Sequence, residues 1–352
     1  MVIRNVVAGG VFAVALLVLG APVHSGSGDP SSRISDPLFA SDAPLAITLT
    51  GPLSQAKRER DKSAVYAAEV RSEGRSFPVQ LTLRGNRRLN KKVCAYPPLR
   101  VEFEKAAVTE TLFEHQSDLK LVVQCRDGAV YADYLRAEYL IYKALNLLTP
   151  LSFQARWIDA TFTDVDRKMD DRVEGAFFVE RKSRLAKRTG RKVVDMPGIN
   201  LTELDFPAAA LLDLFQFVIA NPDYSFTTAP PGDECCHNAK LLIGPKPGSY
   251  TPLIYDFDSS GAIKTKYAVP APNLPIKKVT DRYYMGYCEA NDAAKDARTR
   301  LLASRAEVIE LFATDRVLSA RMKSRLIKFM TTGFDILSDD GLFTRQIINR
   351  CR

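Results

Sequence analysis

The stretch FPVQLTLRG, residues 77–85, alternates apolar with other side chains and ends on Arg84-Gly85. Successive side chains of a strand point to opposite faces, so Phe77, Val79, Leu81 and Leu83 share one face and Gln80, Thr82 and Arg84 the other. The same period recurs in AITLT (46–50), AVYAAEV (64–70), LRVEF (99–103) and LKLVVQC (119–125). Together these runs predict a half-buried antiparallel sheet and a β-rich lobe.

Beyond residue 125 the period changes. In YADYLRAEYLIYKALNLL (131–148), Leu135, Tyr139, Tyr142 and Leu145 recur at helical spacing, and Pro150 marks the stop. QARWIDATFTD (154–164) and EGAFFVERK (174–182) read as another strand pair. Helical patterns then dominate at 206–222 and 297–330, with two strand-like pieces, AKLLI (239–243) and TPLIYDF (251–257), joined by the turn GPKPGSY. The expected organisation is α+β: a β-rich N-lobe over 45–150 and a mainly helical C-lobe over 151–352.

Residues 1–25 have the composition of a secretory signal peptide: one early arginine, an uncharged apolar run from Val6 to Leu19, then small residues suited to cleavage after Ala21 or Ser25. The run is short for a bilayer span, and no later segment is long and apolar enough for one. Residues 26–44, rich in Gly, Ser, Asp and Pro, read as a tether. Export to the periplasm or beyond puts Cys94, Cys125, Cys235, Cys236, Cys288 and Cys351 in an oxidising compartment, where six cysteines allow three disulfides. Cys94 and Cys125 lie on neighbouring strands and are expected to pair. The adjacent Cys235 and Cys236 are expected to reach separate partners, Cys288 and Cys351 among them. No C-x-x-C spacing points to zinc.

The net charge of +8 favours anionic partners, although scattered clusters such as KRERDK (57–62) and KSRLAKR (182–188) read as solvated faces and turns. No nucleic-acid-reading motif is present. His115 and His237 lack a partner serine or cysteine with an acid, and His237 stands out only as the neighbour of Asn238.

The chemistry-bearing residues fall after the apolar segment 206–220. Asn221-Pro222-Asp223 ends it, His237-Asn238 opens one strand, and IYDFDSSG (254–261) closes the next with Asp256 and Asp258. Phosphoryl transfer needs a carboxylate at the attacking hydroxyl and hard oxygen ligands for divalent ions on the phosphates. Asp223 suits the first role; Asn238, Asp256 and Asp258 suit the second, since a hairpin returns both its ends to one edge. A lysine on the β-rich lobe paired with a glutamate on the following helix completes such a site, and Lys120 and Glu138 are the candidates. Arg84 is a further phosphate contact, with Gly85 permitting close backbone approach.

LRG (83–85), ADYLRAEYL (132–140), GAFFVE (175–180), NPD (221–223) and DFD (256–258) occur in the order that resembles the CotH-type family of atypical protein kinases, over roughly residues 45–290. The resemblance implies a two-lobed protein-kinase-like fold that binds ATP or another nucleotide with Mg or Mn. It further implies Asp223 and Asp256 as catalytic and metal-binding carboxylates, Glu180 near the nucleotide, and a protein or other hydroxyl-bearing acceptor. The insertion TTAPPGDECC (227–236) and the lack of a GxGxxG loop depart from ordinary kinases. The competing expectation is a catalytically silent relative that binds an anionic envelope or protein partner.

Overall fold

The structure, a computed structural model, describes residues 36–230 and 234–352 besides the first two residues. The leader expected over 1–25, and the tether up to residue 35, lie outside the described residues. Residues 36–44 are no loose tether. Leu38 and Phe39 are buried, and the Asp36 carboxylate accepts hydrogen bonds from Gln116 Nε2 at 2.7 Å and from Arg184 Nε at 3.2 Å.

The first strands are β1 (Leu45–Gly51), β2 (Tyr66–Ser72), β3 (Arg75–Leu83), β4 (Leu99–Phe103) and β5 (Asp118–Val123), with a short helix α1 (Leu53–Glu59) after β1. Each strand pairs antiparallel with the next, as the alternation predicts. The chain then crosses through α2 (Ala129–Leu148) into β6 (Ala155–Asp164) and β7 (Arg172–Val179). β7 pairs with β5, and β6 pairs in parallel with β1 from Leu45↔Ile158 to Gly51↔Asp164. The sheet therefore closes into a seven-stranded barrel in the order β1-β2-β3-β4-β5-β7-β6.

The expected two-lobed protein-kinase-like fold with an open β-rich N-lobe is thereby overturned: the chain is a barrel-containing α+β protein. Residues 155–179, placed by sequence beyond the lobe boundary at 150, are barrel staves. Alternation reports which face of a strand is buried, and that face is the same whether the sheet is open or closed. Phe77, Phe103, Phe113 and Phe178 fill the interior with stacked and edge-on ring contacts.

After the barrel come α3 (Lys182–Arg188), β8 (Val193–Val194), α4 (Phe206–Ile219), β9 (Ala239–Ile243) and β10 (Tyr250–Ile254). β8, β9 and β10 form a small antiparallel sheet. The basic run KSRLAKR is the helix α3, whose Arg184 and Arg188 engage Asp36 and Glu180 instead of solvent. The chain ends with α5 (Asn291–Ala303), α6 (Arg305–Ala313), α7 (Ala320–Ser338) and α8 (Asp340–Gln346). α2 lies between the barrel, against β6 and β7, and α6. α4 is covered by α5, α7 and β10, which is why nearly all of its side chains are apolar. Among the described residues no helix is long and apolar enough to cross a membrane.

Cys94 pairs with Cys125, as expected. Cys235 pairs with its neighbour Cys236, and Cys288 with Cys351, so the expected separate partners for the vicinal pair are corrected. Residue spacing does not report that Cys288 and the C-terminal Cys351 are brought together by reciprocal backbone bonds, Cys288 N–H to Arg352 O and Arg352 N–H to Gly286 O. Three disulfides fit a chain that matures in an oxidising compartment. The Cys94–Cys125 bridge spans 31 residues of chain, and loop entropy assigns such a bridge about 3–4 kcal/mol. The double variant Cys94→Ser/Cys125→Ser should unfold at lower urea concentration than the parent by that free energy, followed by tryptophan fluorescence; an unchanged midpoint would show that the bridge does not constrain the unfolded chain.

Candidate functional site between the barrel and the helices

Asp213 and Gln216 are the two polar residues of α4, and both are buried. Each has a defined partner just past the helix end. Asn221 Nδ2 donates to Gln216 Oε1 at 3.1 Å, and Tyr224 Oη donates to Asp213 Oδ1 at 2.5 Å. Burial pushes the Asp213 carboxyl up to about 7. The helix stops at Ala220, whose left-handed backbone (φ 51°) turns the chain before Pro222 forbids another helical bond. The two clamps flank Asp223 and set where it emerges.

Asp223 is half exposed and held on both carboxylate oxygens. His237 Nε2 lies 2.7 Å from Oδ1, and Asn238 Nδ2 donates to Oδ2 at 3.2 Å and to the Asp223 carbonyl at 2.7 Å. Asn238 therefore orients Asp223 through its amide donors, whereas the metal-ligand role expected for it would use the side-chain oxygen, a different atom. The β9–β10 register ends at Ile254↔Ala239, and Tyr255 N–H donates to Asn238 O at 3.1 Å, so Asn238 lies opposite Tyr255, one residue before Asp256. Asn238 and Asp256 have left-handed backbones, φ 48° and 68°. Asn and Asp tolerate this region better than other side chains, yet such residues are uncommon and gather at functional sites.

Asp256 meets α2 and the barrel loop. Its N–H donates to Tyr142 Oη at 3.0 Å. Its carboxyl is pushed up to about 7 by burial and by the Asp258 carboxylate, against the pull of Arg84 and Arg88. One turn before Tyr142 on α2, the buried Glu138 is pushed well above the usual carboxylate range by burial, then by Asp258 and Asp256, with Arg88 and Arg84 opposing. No hydrogen bond to the Glu138 carboxylate is present among the described residues. Asp258 is buried and accepts from Tyr267 Oη at 3.0 Å. Three carboxylates thus crowd one another beside two guanidinium groups, an arrangement that shifts protonation equilibria and marks candidate sites.

Lys120 projects from the outer face of β5 toward the same place. Its ammonium sits 4.0 Å from the centre of the Tyr255 ring, and its pKa is held well below the usual lysine value by burial and by Arg84, with Asp256 pulling the other way. The Lys120–Glu138 ion pair expected from the sequence is not formed: the lysine rests on Tyr255 and the glutamate faces Arg88. Glu180, expected near the nucleotide, is fully engaged elsewhere. Both its oxygens pair with Arg188 at 2.9 Å, and Gln154 N–H donates to it at 3.0 Å.

The structure therefore gathers Arg84, Lys120, Glu138, Asp223, Asn238, Asp256 and Asp258, and leaves Glu180 in a closed ion pair. Sequence reasoning missed Arg88, Tyr142, Tyr267 and the α4 clamps. Two polar residues in an otherwise apolar helical run were the available signal for Asp213 and Gln216. Among the described residues no group of three or more His, Cys, Asp or Glu side chains is spaced to hold a metal ion. The chain matches no family model, and no curated protein is similar to it in sequence.

Gly261 fixes the far end of IYDFDSSG. Its N–H donates to Ala220 O at 2.8 Å, and a Cβ there would lie 2.4 Å from Val279 O and 2.8 Å from Ala220 Cβ. Gly261→Ala should destabilise by about 1–3 kcal/mol, measured by chemical unfolding; a neutral change would mean the loop docks loosely. A second expectation concerns Asp256. Its native carboxyl titrates near 7, whereas in the unfolded chain it titrates near 3.9. Between those values the native state holds a proton that the unfolded state has lost, so stability falls as pH rises through the window. Asp256→Asn removes that loss: the variant should gain about 2–3 kcal/mol relative to the parent between pH 5 and pH 8. A stability difference that does not vary with pH would contradict the crowded-carboxylate description.

Proposed function

We propose that this is an exported phosphotransferase that moves a phosphoryl group from a nucleotide such as ATP, together with Mg or Mn, to a hydroxyl on a protein or other acceptor. The observation that carries the reading is the convergence of Asp223, Asp256, Asp258 and Glu138 with Arg84, Arg88 and Lys120 at one place. The order of motifs resembling CotH-type kinases adds to it, while the closed barrel departs from the fold that resemblance implies. Export is supported by the N-terminal composition and the disulfides.

In this reading Asp223 accepts or orients the proton of the acceptor hydroxyl as that oxygen attacks the terminal phosphorus. Lys120 and Arg84 bind the phosphate oxygens, which lowers the repulsion met by the incoming oxygen. Asp256 and Asp258 are the residues suited to a divalent ion, whose contribution is to offset charge on the phosphates. Such an ion takes most of its ligands from phosphate and water and one or two from carboxylates, so a three-residue cage is not required. The crowding of Glu138, Asp256 and Asp258 is an excess of negative charge that a cation relieves.

One observation favours a second reading. Active protein kinases need the lysine–glutamate ion pair in place, and here Lys120 lies on Tyr255 instead. A silent module binding an anionic partner through Arg84, Arg88 and Lys120 has no need of that pair. Incubation of the purified protein with labelled ATP, Mn and a mixed protein acceptor separates the two. The transferase reading expects label transfer, a drop of about 100-fold or more in Asp223→Ala and Asp256→Ala, and a nucleotide-dependent thermal shift. A shift without transfer selects the binding module, and neither response sinks both nucleotide readings.

A further inference from the structure

The site is exposed on one side and closed on the other. Glu138, on α2, and Asp258 are buried, whereas Asp223 and His237 remain 47% and 41% exposed at their side chains. Phosphates neutralised by Arg84, Arg88 and Lys120 suit the closed side. An acceptor that approaches from solvent meets the Asp223–His237 side first.

Asp223 alone is free to rotate about two side-chain bonds, and a carboxylate that must meet an incoming hydroxyl at hydrogen-bond distance needs its direction fixed. Here the direction is fixed by two consecutive residues. His237 Nε2 sits 2.7 Å from Oδ1, and Asn238 Nδ2 reaches Oδ2. Their backbone is fixed in turn: His237 N–H donates to Thr228 O and Ser225 N–H donates to His237 O, so the imidazole is tied into the segment that follows Asp223. The vicinal Cys235–Cys236 pair immediately precedes it, with the Cys236 sulfur 3.0 Å from Phe226 O.

We infer that His237 is a positioning residue: its Nε2–H donates to Asp223 Oδ1 and holds the carboxylate toward a hydroxyl presented from solvent. This rests on the phosphotransferase reading for its consequence on rate, though not for the couple itself. In the transfer step the acceptor oxygen forms the new P–O bond, the bond from phosphorus to the nucleotide's leaving oxygen breaks, and the acceptor proton passes to Asp223. His237 keeps its own proton throughout.

The test has two independent readouts on the full protein. Imidazole nitrogen-15 shifts of the parent should report the Nε2–H tautomer for His237, and that preference should be lost in Asp223→Ala. In the transfer assay, His237→Ala should lower kcat by about 10–100-fold with the nucleotide KM within about two-fold. His237→Gln, which offers an amide donor at nearly the same place, should recover most of the loss. A tautomer that ignores Asp223, or a His237→Ala protein that transfers at the parental rate, overturns the inference. The expected tautomer response in a parent that transfers nothing supports the couple and removes the phosphotransferase reading instead. If His237→Ala fails to fold, His237→Gln decides: parental kcat supports donation to Asp223, and loss of kcat with an intact fold overturns it.

Discussion

The parallel pairing of β1 with β6 is the constraint on which the other placements depend. Along it, Thr48 meets Thr161 and Leu49 meets Phe162, and the strand that begins the described sheet is joined to one that follows a 20-residue helix. A parallel neighbour requires a crossover, and α2 supplies it on the outside of the barrel. That position turns Glu138 and Tyr142 toward the β10 end, where Asp256 donates to Tyr142 Oη. The pairings β3-β4-β5-β7 carry the Arg84–Arg88 loop and Lys120 to the same side, where α2 packs on β7 and β6.

The interior of the site is electrostatically unfavourable by itself. Asp256 and Glu138 are driven toward protonation by burial and by each other's neighbourhood, and two backbone positions, Asn238 and Asp256, sit in the left-handed region at a cost of about 1–3 kcal/mol each. The surrounding structure offsets this with apolar burial of α4 and with clamps that have no other evident purpose. Asp213 and Gln216 are held inside a helix that otherwise excludes polar side chains, and what they grip are Asn221 and Tyr224, the flanks of Asp223. Concentrating strain and unpaired charge where the rest of the fold is densely packed is the pattern expected of a site selected for chemistry over stability.

Much of this was legible in the order of residues, because the signals were local. Period two located β1 to β5, period 3.6 located α2 and α4, and strand adjacency paired Cys94 with Cys125. The hairpin between Asn238 and Asp256 brought its ends together as its turn implied. What failed were inferences about direction and partner choice. Lys120 and Glu138 point into one region, yet Tyr255 takes the lysine. Glu180 is consumed by Arg188, a residue that lies eight positions away on a run read as solvated.

By itself, the sequence determined most of the elements, the cysteines available for disulfides, and the carboxylates that carry the candidate chemistry. These follow from spacing along the chain, where side-chain period and chemistry are written directly. Only the tertiary structure decided that the strands close, that Cys235 pairs with Cys236, and which cation each carboxylate faces. Closure is a contact between residues more than a hundred positions apart, and Asp256 is raised to about 7 first by its burial among distant elements and then by the repulsion of the Asp258 carboxylate. Neither leaves a periodic trace, because alternation and helical spacing record which face is buried and not what is packed against it.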